Sequence, residues 1–240
     1  MKVIRLEETD STNSYAKSRI SDFDNLTVIH VLRQTKGRGR LNRLWVDLGE
    51  NNLFFSLVLK PSVSFNQCYA NITQYASVIL CRIIEKYGIK PMIKWPNDVM
   101  IDGKRKISGI LSETVFEGKE LKGIVVGIGV NLNSDKESVS KIPDRLVTAL
   151  NIETGQNIDM YEFLQQFLDE FSNYYSEFLK SGFEYICDEY VKRNCFFNKE
   201  LNVQVLNDKL SGVAKGLTSS GELILQTENK DLVLTIGDIL

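Results

Sequence analysis

The segment Lys36-Gly37-Arg38-Gly39-Arg40-Leu41-Asn42-Arg43-Leu44-Trp45 places one lysine and three arginines within eight positions, in a 240-residue chain whose formal net charge is only −2. Three guanidinium groups supply planar, permanently charged forks that match carboxylate and phosphate oxygens. Gly37 and Gly39 let backbone N–H groups approach a ligand closely. The chemistry such a segment could do is the holding of an anion, with Trp45 anchoring or covering it. Its spacing is not that of a GxxxxGK[ST] phosphate loop, nor of a GxGxxG fingerprint, since position 42 is Asn. On its own the segment also reads as a solvated basic loop.

Three further segments could do chemistry. In Lys94-Trp95-Pro96-Asn97-Asp98, Pro96 holds Trp95 extended, and the lysine is placed to neutralise an anion in a partly dry site. Lys106 opens the run Lys106-Ile107-Ser108-Gly109-Ile110-Leu111-Ser112-Glu113, just past an Asp102-Gly103 turn. Gly127-Ile128-Gly129-Val130-Asn131-Leu132-Asn133 lacks side chains at alternate positions of one face, which suits a flat ligand lying on a sheet. Each has an ordinary reading too: a strand-to-turn junction, an exposed turn lysine, and a packing accommodation.

These residues need rigid elements behind them. Leu26 to Gln34 and Asn52 to Lys60 are β-branched and apolar and predict strands, the second stopped by Pro61. Asp10-Ser11-Thr12-Asn13 offers an N-cap for a helix over the following residues. Apolar residues at Tyr69, Ile72, Ala76, Ile79, Ile83 and Tyr87 trace a helical stripe closed by Gly88. Asp102-Gly103 predicts a two-residue hairpin joining Val99–Ile101 to Ile107–Phe116, and Lys122 to Asn133 predicts another buried strand. Residues 134–147 are polar and read as an irregular, mobile loop. A long helix is expected from Asp159 to Lys180, with Asp159 and Glu162 spaced as a capping box, and a third over Phe183 to Arg193. Beyond a boundary near Asn194–Lys199, short alternating runs separated by turn signals predict a small all-β unit, too small to stand without packing on the rest.

Composition removes several classes. A protein whose main partner is nucleic acid usually shows a basic balance, and this chain has 29 Lys and Arg against 31 Asp and Glu. No apolar run approaches the roughly 18–20 residues of a membrane span. The four cysteines form no CxxC pair, and one histidine, His30, leaves neither a Cys/His zinc site nor a Ser-His-Asp triad to build. His30 sits in the apolar run Val28-Ile29-His30-Val31-Leu32 and reads as a strand residue. A reduced, cytoplasmic setting is expected.

The order Asp10-Ser11-Thr12-Asn13, then Gln34 to Trp45, Lys94 to Val99, Lys106 to Glu113 and Gly127 to Asn133 resembles biotin protein ligases, over about residues 3 to 238. The resemblance implies an α+β fold: a mixed β-sheet catalytic domain flanked by helices (1–194) and a C-terminal SH3-like β-barrel (195–240). It implies that biotin and ATP, with Mg²⁺, give biotinyl-AMP, and that biotin then passes to a lysine of a biotin carboxyl carrier domain. It places Ser11, Thr12, Asn13, Gln34, Gly37, Arg38, Gly39, Arg40, Lys94, Gly127 and Gly129 around biotin. Arg38, Arg40, Arg43, Trp45, Asn97, Asp98, Lys106 and Asn131 fall on the ATP and adenylate side. Lys94, Arg38 and Lys106 are the implied catalytic groups, and Asp98 the candidate metal ligand. Asn42 stands where the family usually has glycine, and asparagine's tolerance of left-handed dihedrals is expected to preserve that turn. The first enzyme element starts by about residue 10, so no DNA-binding domain and no DNA contact are expected; monomer and homodimer stay open. The rival readings are a lipoate or octanoate ligase, and a non-catalytic adenylate-binding regulator.

Overall fold

The computed structural model describes residues 1–49, 51–61, 67–142 and 146–240, and the side chains of all of these except Asn42 and Gln67. In chain order the elements are β1 (Val3–Thr9), α1 (Thr12–Ser18), β2 (Thr27–Gln34), β3 (Leu53–Leu59), α2 (Ile72–Glu85), β4 (Pro91–Lys94), β5 (Asp98–Ile101), β6 (Arg105–Glu117), β7 (Glu120–Val130), α3 (Lys136–Ser140), α4 (Leu150–Thr154), α5 (Met160–Ser181) and α6 (Cys187–Lys192). The tail adds β8 (Glu200–Val205), β9 (Asp208–Leu217), β10 (Leu223–Gln226), β11 (Asp231–Leu234) and β12 (Asp238–Ile239).

Seven strands form one mixed sheet in the order β1-β2-β3-β7-β6-β5-β4. β1 runs parallel to β2, and every other neighbouring pair is antiparallel. Its middle strand pair shows why the site lies where it does. Successive side chains of a strand point to opposite faces. On β7, Ile124, Val126 and Ile128 join the main core beneath α2 and α5. The intervening Val125 packs with Ala16, Ile20 and Phe23 on the α1 side, the face to which Gly127 and Gly129 also belong. One face of the sheet is therefore an apolar floor, and the other is cleared of side chains along β7. β3 is buried along its whole length because both faces are covered.

Local sequence accounts for the boundaries. Asp102 and Gly103 have φ of 52° and 69°, the left-handed pair that a tight two-residue hairpin requires. The turn after α2 closes at Gly88, whose φ is 79°. Asp159 caps α5 by accepting hydrogen bonds from the Tyr161 and Glu162 N–H groups. Glu162 instead accepts a bond from Gln166, so only half of the expected capping box forms.

Three expectations change. Residues 134–147 are not irregular throughout: Lys136–Ser140 forms a short helix capped by the Asp135 side chain. Leu146 to Thr148 runs alongside β6, bonded to Lys106 through both its N–H and its C=O; residues 143–145 lie outside the described residues. The expected third helix opens as a 3-10 turn over Gly182–Ile186, and only Cys187–Lys192 is α-helical. Ser11 occupies the N-cap position of α1 without a side-chain cap bond.

The tail is a five-stranded antiparallel sheet in the order β11-β10-β9-β8-β12. Val203, Ala214, Leu223, Leu225, Leu234 and Ile239 belong to the same core cluster as the main sheet. The Gly221 carbonyl accepts from Trp95 Nε1 at 3.1 Å and from Gln74 Nε2 at 2.9 Å, which ties a tail turn to the body. Among the described residues no helix is long and apolar enough to cross a membrane.

Removing the α5 cap has a definite cost: Asp159→Ala should lower the unfolding free energy by about 1 kcal/mol in urea titrations, and Asp159→Asn should keep most of it.

Candidate functional site

A cleft of about 560 Å³ opens on the cleared face of the sheet, a size suited to a small-molecule ligand. It is lined by Ser11, Thr12, Asn13, Gln34, Arg38, Gly39, Arg40, Arg43, Trp45, Lys94, Asn97, Asp98, Lys106, Gly127 and Gly129. Five sequence segments, from Ser11 to Gly129, thus meet in one place. Gly37 and Asn131 do not line it. Gly37 is a packing glycine, since a Cβ there would lie 2.7 Å from the Trp45 carbonyl oxygen. Asn131 is buried and structural. Its N–H donates to the Ile107 carbonyl, its side chain donates to the Thr148 carbonyl, and its own carbonyl accepts from Leu150.

At one end the cleft is polar and uncharged. Ser56 Oγ on β3 lies 2.6 Å from Asn13 Oδ1 and 2.7 Å from Thr12 Oγ1. Its one proton serves Asn13, whose amide oxygen can only accept. Asn13 Nδ2 donates to Glu113 Oε2 at 2.8 Å and to the Leu111 carbonyl. Gln34 Oε1 accepts from the Thr12 N–H at 2.9 Å. Ser11 Oγ and Gln34 Nε2 make no hydrogen bond among the described residues, and both belong to lining residues, so they are available to a ligand with donors and acceptors of its own.

The other end is cationic. The Lys36–Trp45 segment folds as a small hairpin: Trp45 N–H donates to the Gly37 carbonyl, Gly39 N–H to the Arg43 carbonyl, and Arg38 pairs with Leu44. At its tip Leu41 takes the left-handed conformation, with φ 51° and ψ 38°. A side chain with a Cβ pays roughly 1–2 kcal/mol there. Arg38 pairs with Glu113 at 3.1 Å. Arg40 donates to Asn97 Oδ1 at 3.2 Å and pairs with Asp238 at 3.0 Å. Lys106 Nζ is 2.5 Å from Asp98 Oδ1 and 5.4 Å from the centre of the Trp45 ring. Lys94, at the end of β4, has no hydrogen bond or ion pair among the described residues. Burial lowers its pKa below the ordinary lysine range, and the charge of Lys106 adds to this against the opposing pull of Asp98. Glu113 titrates below the usual carboxylate range: burial would raise it, but hydrogen bonds from Lys17 and Asn13 and the charge of Arg38 outweigh that.

The glycine-bearing strand serves a different purpose from the one its pattern suggested. A Cβ at Gly127 would lie 2.3 Å from Asn13 Oδ1, and one at Gly129 would lie 2.6 Å from Trp45 Cε2. Gly109 on β6 gives way to the same indole. These positions are cleared for the protein's own Asn13 and Trp45, which then form the walls of the cleft.

The sequence profile described as the biotin/lipoate A/B protein ligase family matches residues 6–131, more than half of the chain. The chain belongs to that family. The biotin protein ligase C terminal domain profile matches residues 196–240. The bifunctional ligase/repressor BirA of Bacillus subtilis is 31% identical over 205 residues, which cover 84% of this chain and 62% of the relative. The chain thus spans about three fifths of the length of such Bacillus relatives. The biotin--[acetyl-CoA-carboxylase] ligase of Paracoccus denitrificans is 28% identical over 228 residues, 92% of each chain. Among solved structures, the biotin protein ligase from Aquifex aeolicus in complex with biotin and ATP superposes over 100% of this chain and 97% of its own, with a TM-score of 0.79 and 27% identity.

Several residues in and around the cleft escaped the sequence reading. Ser56 is the one polar residue of Leu53–Leu59, and a lone hydroxyl in a buried strand was the available signal. Glu113 lies two and four residues beyond Leu111 and Gly109, on the face that carries the site. Lys104 and Asp238 line the cleft without any local signal.

Gly129→Ala tests the assignment of space. It should displace the Trp45 indole, change the intrinsic tryptophan emission of the folded protein, and cost about 1–3 kcal/mol in urea titrations. Gly39→Ala, whose nearest contact would be an ordinary 3.4 Å, should do neither.

Proposed function

We propose that this protein is an ATP-dependent biotin protein ligase, and that its cleft joins biotin to AMP before passing biotin to a carrier lysine. The observation that carries this reading is the two-ended cleft: uncommitted polar groups at Ser11 and Gln34, and an unpaired, half-buried ammonium at Lys94 in the same cleft as the arginines. A neutral, hydrogen-bonding head group at one end and an acidic tail at the other match that arrangement. The named activities of the Paracoccus and Aquifex proteins, and the C-terminal profile, favour biotin over lipoate or octanoate.

In the first half-reaction an oxygen of biotin's carboxylate would form a bond to the α-phosphorus of ATP. The bond from that phosphorus to the bridging oxygen breaks, and pyrophosphate leaves with the electron pair. Two anions must approach, so the barrier includes their repulsion. Lys94 and Arg38 would lower it by standing where negative charge accumulates, in a cleft where low dielectric strengthens the effect. Arg40, Arg43 and Lys106 would orient phosphates, and Trp45 would shield the mixed anhydride from water. In the second half-reaction the neutral ε-amine of a lysine on a biotin carboxyl carrier domain attacks the acyl carbon, AMP departs, and the amine proton is lost to solvent. The substrate carboxylate is itself the nucleophile, so no activated serine or cysteine is required. His30, far from such a role, is buried in β2 with its pKa lowered to about 4, by burial first and the charge of Arg5 second.

Mg²⁺ fits this site through substrate phosphates and one carboxylate. No group of three or more His, Cys, Asp or Glu among the described residues is placed to hold a metal. Magnesium commonly keeps waters and takes one or two carboxylates besides phosphate oxygens. Asp98 is the cleft carboxylate beside Lys106, and there the ion would supply charge neutralisation. We also assign the adenylation chemistry to residues 1–194 and treat 195–240 as a separate unit that closes one side of the cleft.

The reading is tested by biotin-dependent exchange of labelled pyrophosphate into ATP, and by mass spectrometry of a carrier domain incubated with the protein, biotin and MgATP. Exchange with lipoate but not biotin would transfer the assignment to the rival. Lys94→Ala should reduce exchange by about 10²–10³-fold with unfolding unchanged. In the parent protein kcat/KM for exchange should fall at alkaline pH as Lys94 loses its proton, starting below the range of a free lysine. Lys94→Arg should move that limb to higher pH.

A further inference from the structure

The second carboxylate of the cleft comes from the far end of the chain. Asp238 lies on β12, where its strand pairs with Gln204 and where Leu240 N–H donates to the Asn202 carbonyl, so its backbone is held. Its side chain is 9% exposed, and its oxygens lie 3.0 Å from Arg40 Nη1 and 3.2 Å from Arg43 Nη1. Oδ2 is buried and receives no hydrogen bond of good geometry among the described residues, so the nearby guanidinium charges are what hold it.

We propose that Asp238 is an internal stand-in for a nucleotide phosphate: it takes the place on Arg40 and Arg43 that a phosphate group would take, so the two pairings exclude each other. The inference rests on the reading that this cleft binds ATP. Guanidinium forks donate to carboxylate and to phosphate oxygens with the same geometry. A phosphate that draws both arginines to itself leaves Asp238 as a buried anion next to another anion, which is costly. ATP binding is therefore opposed by the carboxylate, and the opposition is confined to the arginine end. Among the described residues Ser11, Thr12 and Gln34 share no hydrogen bond or ion pair with Asp238, Arg40 or Arg43, so biotin binding at that end is not coupled in the same way. The same two ion pairs tie the C-terminal strand to the arginine hairpin, and a phosphate that replaces Asp238 unties them.

Asp238→Asn keeps the size of the side chain and removes its charge. In the pyrophosphate exchange assay the KM for ATP should fall about tenfold while the KM for biotin stays put, and calorimetric titration with MgATP should show the same tightening. Asp238→Glu, which restores the charge, should return the ATP value toward the parent. A KM for ATP that is unchanged or raised in a folded Asp238→Asn protein overturns the proposal and makes Asp238 a support for the arginines. Asp238→Ser provides the same comparison if the Asn variant fails to fold. If the parent protein neither binds MgATP nor exchanges pyrophosphate, the functional reading and this inference fall together; if it does both without tightening in Asp238→Asn, only the role of Asp238 falls.

Discussion

Six cations face one cleft, and that concentration of charge is the constraint to which the surrounding structure answers. Arg38, Arg40, Arg43, Lys94, Lys104 and Lys106 all line it. Like charges at such spacing repel strongly where water is partly excluded. The fold distributes counter-charges from three directions: Glu113 on β6 to Arg38, Asp98 on β5 to Lys106, and Asp238 on β12 to Arg40 and Arg43. Each carboxylate is on a strand while three of its partners are on the hairpin, so rigid elements hold the acids and the hairpin brings the bases to them. The small C-terminal sheet thereby contributes to the electrostatics of a cleft built mainly by the large one.

A second constraint is space. The sheet must be apolar on the side of α2 and α5 and open on the side of the cleft, and alternation along β7 delivers both from one strand. The opening is then partly refilled. The Trp45 indole lies against Gly129 and Gly109, and the Asn13 amide against Gly127. The walls of the cleft are side chains carried in from α1 and from the arginine hairpin, which lets their orientation be fixed by partners on other elements. Asn13 is held by Ser56 and Glu113, and Arg40 by Asn97, whose own amide donates to the Ile110 carbonyl.

Most of the fold was legible because it rests on short-range rules. The Asp102-Gly103 hairpin, the Asp159 cap and the apolar stripe of α2 follow from neighbours within a few positions. The cleft itself was legible where motif residues are also lining residues, as at Lys94, Arg38 and Lys106. What escaped was long-range or ambiguous locally. Nothing near Asp238 announces that its partners lie almost two hundred residues earlier. Asn131 is set in a motif-like run yet spends its polar groups on holding the chain at Ile107, Thr148 and Leu150. At the hairpin tip Leu41 is left-handed inside the turn that the Arg43 N–H closes on the Arg40 carbonyl, a conformation that nothing in a leucine announces.

The remaining asymmetry among the cations has a physical sense. The arginines sit on a hairpin, their guanidinium groups suit carboxylate and phosphate oxygens alike, and their charge is insensitive to surroundings. Lys94 sits at the end of β4, opposite Asp98 in the strand register, without an ion-pair partner. A cation meant for the reacting atoms is most useful when no internal anion must first be displaced from it, and when its position does not depend on a loop. Burial makes that arrangement costly, as the lowered pKa of Lys94 records. Two approaching anions would remove the cost by supplying the negative charge that the folded chain withholds. In the reaction proposed for this cleft, the charge that gathers as the two anions meet would favour Lys94 most in the transition state, which is the form in which electrostatic binding becomes rate.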